Sequence, residues 1–228
     1  MTPAPAPRPT HSPAQPNRDP RRRDLATRCT GHAVDRSVHG RRGRALLLTL
    51  PTLAQLADDL AHGRATSESL TRDCLSRIDD PVGEGQRAFI SVFRESAMDA
   101  ARAADARRAA GAIRSPIDGL PVSIKDLFDV QGQVTRAGSI VLNDAAPAAA
   151  DAPIVARLRA AGAVLVGRTN MTEFAYGANG MNAHYGTPLN AWDRANKRIP
   201  GGSTSGGAVS VTDGMAAGTI GSDTGGSV

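Results

Sequence analysis

Short apolar runs alternate with helix-patterned stretches from residue 52 to residue 222, and that alternation leaves few architectures open. AFISVF (88–93), LPVSI (120–124), AVLVG (163–167) and TIGS (219–222) read as strands. Leu53, Leu56, Ala57 and Leu60 stand at helical spacing, with Gly63 as a stop. Thr66 suits the N-cap of a second helix through Leu70, Cys74 and Ile78, with Glu68 in its first turn. A full capping box is not expected there, because Ser69 replaces the usual Glu or Gln. Residues 95–110, nearly all Ala and Arg with acids, read as a solvent-flanked helix, and further helices are predicted over 152–161, 170–176 and 207–218. Helices between strands supply the crossovers that parallel pairing needs. The expected fold class is α/β, with a mixed, largely parallel sheet covered by helices.

The chain has 228 residues and 40% apolar content, enough for a sizeable core within one or two domains. Aromatics make up only 3%, so that core must be built from Leu, Val, Ile and Ala. The net charge of +5 is unevenly spread. Residues 1–45 hold ten Arg against three Asp, whereas the rest holds 17 basic and 19 acidic residues. The folded part is thus near neutral and lacks the basic patch of a specific nucleic-acid binder. Residues 1–45 are rich in Pro and Arg with no apolar periodicity, and they read as a disordered extension. Two competing readings are a mis-chosen start, with translation beginning near Leu46, and a targeting or RNA-binding tail. Cys29 and Cys74 form no CxxC or Cys/His cluster, which argues against a disulfide framework or a metal site and favours a reducing, cytoplasmic compartment. LLLTL (46–50) is too short to span a membrane, and no membrane partner is expected.

Chemistry concentrates in three segments. Lys125 is one of two lysines in a chain that otherwise uses arginine, and it sits in GLPVSIKDLFDV (119–130). PGGSTSGG (200–207) and GSDTGGSV (221–228) place Ser and Thr between glycines, where backbone amides can turn inward to form an anion nest. Neither loop is followed by the Lys of a phosphate-binding GxxxxGK[ST] loop, and no GxGxxG occurs in them, so a nucleotide cofactor is not indicated. A serine nucleophile needs a base. Three of the five histidines lie before residue 45 and His62 adjoins a helix stop, leaving only His184. Lys125 is the alternative, if burial among Val122, Ile124 and Leu127 lowers its pKa; strand alternation sends Asp126 to the opposite face.

Those three segments, with GRTNMTEFAYGANGMNAHYGTPLNAWD (167–193), resemble the amidase signature family, serine hydrolases with a Ser-Ser-Lys triad. The resemblance runs from about residue 50 to Val228 and implies that Lys125 is the base, Ser203 the bridging serine beside a cis peptide bond, and Ser227 the nucleophile. The two serines are 24 positions apart, as in the family. The resemblance further implies an oxyanion hole from the backbone amides of Thr224, Gly225, Gly226 and Ser227, where loss of one donor typically costs about 3 kcal/mol. Asp223, Thr204 and Ser205 are expected to hold the loop by hydrogen bonds, while Asn170, Met171, Glu173 and Phe174 are read as scaffold. No cofactor or metal is implied. Family members continue past their nucleophile segment, so residues 46–228 are expected to be the N-terminal half of such a domain, truncated after the nucleophile motif. The implied activity is hydrolysis of a small carboxamide through an acyl-enzyme. Two alternatives stand beside it: a glutamine-hydrolysing subunit of a transfer-RNA amidotransferase, and a catalytically silent truncated product. A homodimer is left open.

Overall fold

A computed structural model describes residues 50–228; the reading of residues 1–45 lies outside that range. Helix α1 (Leu53–Ala61) is followed by α2 (Ser67–Ile78), the short α3 (Gly85–Ala88), strand β1 (Phe89–Val92) and helix α4 (Arg94–Ala109). Strand β2 (Pro121–Lys125), helix α5 (Pro153–Ala160), strand β3 (Val164–Thr169), helix α6 (Ser205–Thr212) and strand β4 (Gly218–Ile220) complete the order. The sheet runs β1-β3-β2-β4. Pairs β2–β3 and β2–β4 are parallel and β1–β3 is antiparallel, so the sheet is mixed and largely parallel.

Strand alternation divides the core. Val164 and Val166 point to one face, where they meet Leu75 and Ile78 of α2, Ala97 and Ala101 of α4 and Val209 of α6. Val122, Ile124 and Leu165 point to the other, against Val155 and Leu158 of α5. Each such buried Val, Leu or Ile contributes about 1.5–3 kcal/mol. Helix α4 approaches through alanines, Ala97, Ala101 and Ala104, spaced along one face. Leu56 and Leu60 of α1 close over Leu120.

Three local predictions change, the first being the helix expected over 207–218, which instead spans Ser205–Thr212 and stops before Gly214, whose φ is 68°. Thr66 does form a reciprocal capping box, because Ser69 Oγ accepts from the Thr66 amide at 3.1 Å while Thr66 Oγ1 accepts from the Ser69 amide at 3.0 Å. A serine hydroxyl reaches back as a glutamate would. The helix predicted over 170–176 shrinks to one 3₁₀ turn, Glu173–Ala175, because Phe174 and Ala175 adopt left-handed backbone with φ of 51° and 58°. Among the described residues, no helix is long and apolar enough to cross a membrane.

Candidate active site

Lys125 is the last residue of β2, and its side chain is fully buried. It shares its face with Ser123, whereas Val122 and Ile124 face α5 on the other side and Leu127 is partly exposed. The expected burial of the lysine among those three residues is therefore wrong in its agents. The period-2 pleat sends Val122 and Ile124 away from the amine, and Leu127 lies beyond the end of the strand. Burial is nonetheless complete, supplied by the segments after β3 and β4. It lowers the Lys125 pKa to about 8, with Asp223 opposing the shift through its negative charge. Asp126 lies on the far face, where it binds Arg168 Nε at 2.5 Å and accepts from the Gly138 amide at 3.0 Å. That pair is fully buried, and Arg168 also donates to the Phe128 carbonyl and Thr135 Oγ1.

Lys125 Nζ lies 2.7 Å from Ser203 Oγ, 2.9 Å from Ser222 Oγ and 3.2 Å from the Ser222 carbonyl. A neutral amine satisfies all three contacts: its two N–H bonds donate to Ser222 and its lone pair accepts the Ser203 proton. The peptide bond between Gly202 and Ser203 is cis. Close backbone approach explains the glycines here. A Cβ on Gly202 would lie 2.5 Å from the Gly180 nitrogen, and one on Gly180 would lie 2.1 Å from the Gly201 carbonyl. The Ser203 carbonyl accepts from the Thr172 amide at 3.1 Å, tying the serine to the exit of β3.

Ser227 is buried, and its carbonyl accepts from the Thr204 amide at 3.2 Å and from Thr204 Oγ1 at 2.6 Å. Thr204 thus links the two serine segments directly. Ser205 reaches instead to the Asn170 carbonyl at 3.5 Å. No hydrogen bond joins the Ser227 and Ser203 hydroxyls in this geometry. Thr224, Gly225 and Gly226 are exposed, and the Asp223 carboxylate accepts from the Gly226 amide at 2.6 Å and from the Val228 amide at 3.3 Å. The amides of Gly226, Ser227, Val228 and Gly225 hold the Asp223 carboxyl below its usual range. Asp223 thus organises this loop, and its carboxylate takes the Gly226 amide, one of those expected to serve an oxyanion.

Ser222 was not singled out by the sequence, although it makes two of the three contacts to Lys125. Its only signal was its place in the glycine-walled segment. Asn170 acts as a brace, donating to the carbonyls of Arg87 and Gly186. His184 contacts Glu173, not a serine of the site.

The site thus holds a buried lysine of lowered pKa against a serine hydroxyl, beside a glycine-rich serine loop. Residues 69–228 match the family described as Amidase, and the chain belongs to that family. It is 45% identical over 170 residues to the A subunit of glutamyl-tRNA(Gln) amidotransferase from Chloroflexus aggregans, covering 74% of this chain and 34% of that one. Among solved structures it resembles native peptide amidase from Stenotrophomonas maltophilia, with 35% identity, a TM-score of 0.64, and coverage of 74% of this chain and 35% of that one. A further structure, from a vestigial complex informative about the origins of an s-triazine catabolic enzyme, is 39% identical with a TM-score of 0.68, covering 73% of this chain and 36% of that one. The chain therefore spans about a third of the length of these relatives.

Proposed function

We propose that this chain carries the acylating machinery of an amidase acting on a small carboxamide. The observation that carries the reading is the fully buried Lys125 amine, of lowered pKa, placed 2.7 Å from Ser203 Oγ. Neutral Lys125 accepts the Ser203 proton, Ser203 accepts the Ser227 proton, and Ser227 Oγ forms a bond to the amide carbonyl carbon. The C–N bond then breaks, the relay returns a proton to the departing ammonia or amine, and water cleaves the ester to free the acid. Ser222 fixes the amine with its lone pair toward Ser203. The amides of Thr224, Gly225, Gly226 and Ser227 stabilise the oxyanion once the Asp223 carboxylate withdraws from them.

Mass spectrometry of the chain with a small carboxamide such as propionamide tests this. An acyl adduct on Ser227, with ammonia released and both lost in Ser227→Ala and Lys125→Ala, is the expected result. Absence of adduct and ammonia in the folded wild type would leave the catalytically silent alternative. A second reading, glutamine hydrolysis within an amidotransferase, is favoured by the 45% identity to the Chloroflexus aggregans relative. It predicts glutamine as the preferred ammonia donor and co-purification with partner proteins.

A further inference from the structure

Beneath Lys125 lies a cluster of hydroxyls that the relay does not use. Ser123, two residues earlier on β2, is fully buried, and its Oγ lies 2.9 Å from Ser210 Oγ on α6 and donates to Thr219 Oγ1 on β4 at 2.8 Å. Thr219 Oγ1 in turn reaches the Ser123 carbonyl at 3.5 Å, and Ser210 Oγ reaches the Gly207 carbonyl at 2.7 Å. Each of the three elements joined here ends beside a group of the relay. Strand β2 ends on Lys125, α6 begins two residues after Ser203, and β4 ends two residues before Ser222.

Hydroxyls matter at this point because α6 meets the sheet mainly through small residues. Ser205, Gly206, Gly207, Val209 and Ser210 form its buried side, where Val209 alone carries a larger apolar side chain, and a Cβ on Gly207 would lie 2.8 Å from Thr219 Oγ1. A helix lying this close on small residues, with one valine to interlock, is held by packing against lifting off more than against sliding. Hydrogen bonds have a set length and direction, and they fix the register that packing leaves loose.

We propose that Ser123, bonded to Ser210 and Thr219, is a positioning residue for the relay, holding α6 and β4 in register on β2 so that Ser203 and Ser222 stay on the Lys125 amine. This rests on the amidase reading. Without the Ser123 hydroxyl the two elements shift, and water enters beside the amine. A displacement of about 1 Å is enough to cost about a hundredfold in rate.

The test uses the full chain and a fluorophosphonate reagent. Ser227 Oγ bonds to phosphorus, fluoride leaves, and the hydroxyl proton passes along the relay to Lys125. Labelling rates are followed from about pH 6 to about pH 10 for wild type, Ser123→Ala and Ser210→Ala, with circular dichroism and melting curves alongside; a group carrying the relay's proton is what such a profile reports. In folded variants we expect a drop of about tenfold or more and an activity limb moved to higher pH, because a hydrated lysine returns toward its ordinary value. If Ser123→Ala does not fold, Ser210→Ala, which breaks the network from α6, decides. Unchanged rates, or a loss that tracks melting with the limb unmoved, would overturn the inference. Lys125→Ala or Ser227→Ala labelling as fast as wild type, or a wild type that does not label, would instead remove the amidase reading on which it stands.

Discussion

At the scale of single residues, the proposed relay asks of position 125 something that arginine cannot do. A guanidinium stays protonated in any protein site, whereas a buried amine can be neutral near physiological pH. Lys125 titrates at about 8, so the neutral base is populated as pH rises through that value. Turnover should therefore increase with pH to a plateau above about 8, a limb that a pH–rate profile will show. Lys125→Met should abolish turnover, yet thermal stability at pH 7 should not fall, because the variant no longer buries an ammonium. Thr204→Val tests the link between the serine segments. It removes the 2.6 Å bond to the Ser227 carbonyl, which keeps the Thr204 amide, and should cost about 0.5–1.5 kcal/mol by denaturant melting, with a slower acylation step. Lys125, Ser203 and Thr204 stood out in the sequence through rarity or glycine flanking. Ser222 did not, because its role comes from a carbonyl and a hydroxyl that meet the amine only after folding.

Among the elements, α6 packs its glycines directly against neighbouring backbone. A Cβ on Gly206 would lie 2.2 Å from the Ala88 carbonyl and 2.6 Å from the Asn170 nitrogen, both backbone atoms that cannot swing away. Gly206→Ala should cost at least about 1–3 kcal/mol, read as a lowered denaturant midpoint. The Arg168–Asp126 pair joins the exits of β3 and β2 on the face opposite Lys125. Breaking it in Arg168→Met leaves a buried carboxylate unpaired and should cost about 3–5 kcal/mol, whereas the double change Arg168→Met with Asp126→Leu should recover much of that loss. The strands and most helices were legible because apolar periodicity and caps are local. The 170–176 segment was not: its residue types suit a helix, but the turn there is set by the Phe174 amide donating to the Ala137 carbonyl, a contact across the fold.

Over the whole molecule, stability should depend on pH at both ends. Burial alone would raise the carboxyls of Glu84 and Asp118, but hydrogen bonds from Arg87 and Arg107, and from the amides of Leu189 and Arg114, hold them below their ordinary range. Their contribution is present above the unfolded carboxylate value near about 4 and is lost as pH falls through the lower folded values. Lys125 acts at the alkaline end. Its folded value lies below 10.5, so the unfolded chain holds more protons between about 8 and 10.5 and stability rises with pH across that window. Melting curves across pH, with Lys125→Met lacking the alkaline rise, check this. The strand order shows why the site lies where it does. Strand β2 is central, with β3 and β4 on either side, so the chain segments that leave β3 and β4 close over the end of β2 that bears Lys125. Residue order alone was enough to reveal an α/β chain and the segments bearing the lysine and the serines, since periodicity, glycine spacing and the scarcity of lysine are one-dimensional properties. Which groups meet the amine, and which face buries the lysine, depended on strand register and on contacts between residues 78 to 97 positions apart, distances over which no local pattern carries information.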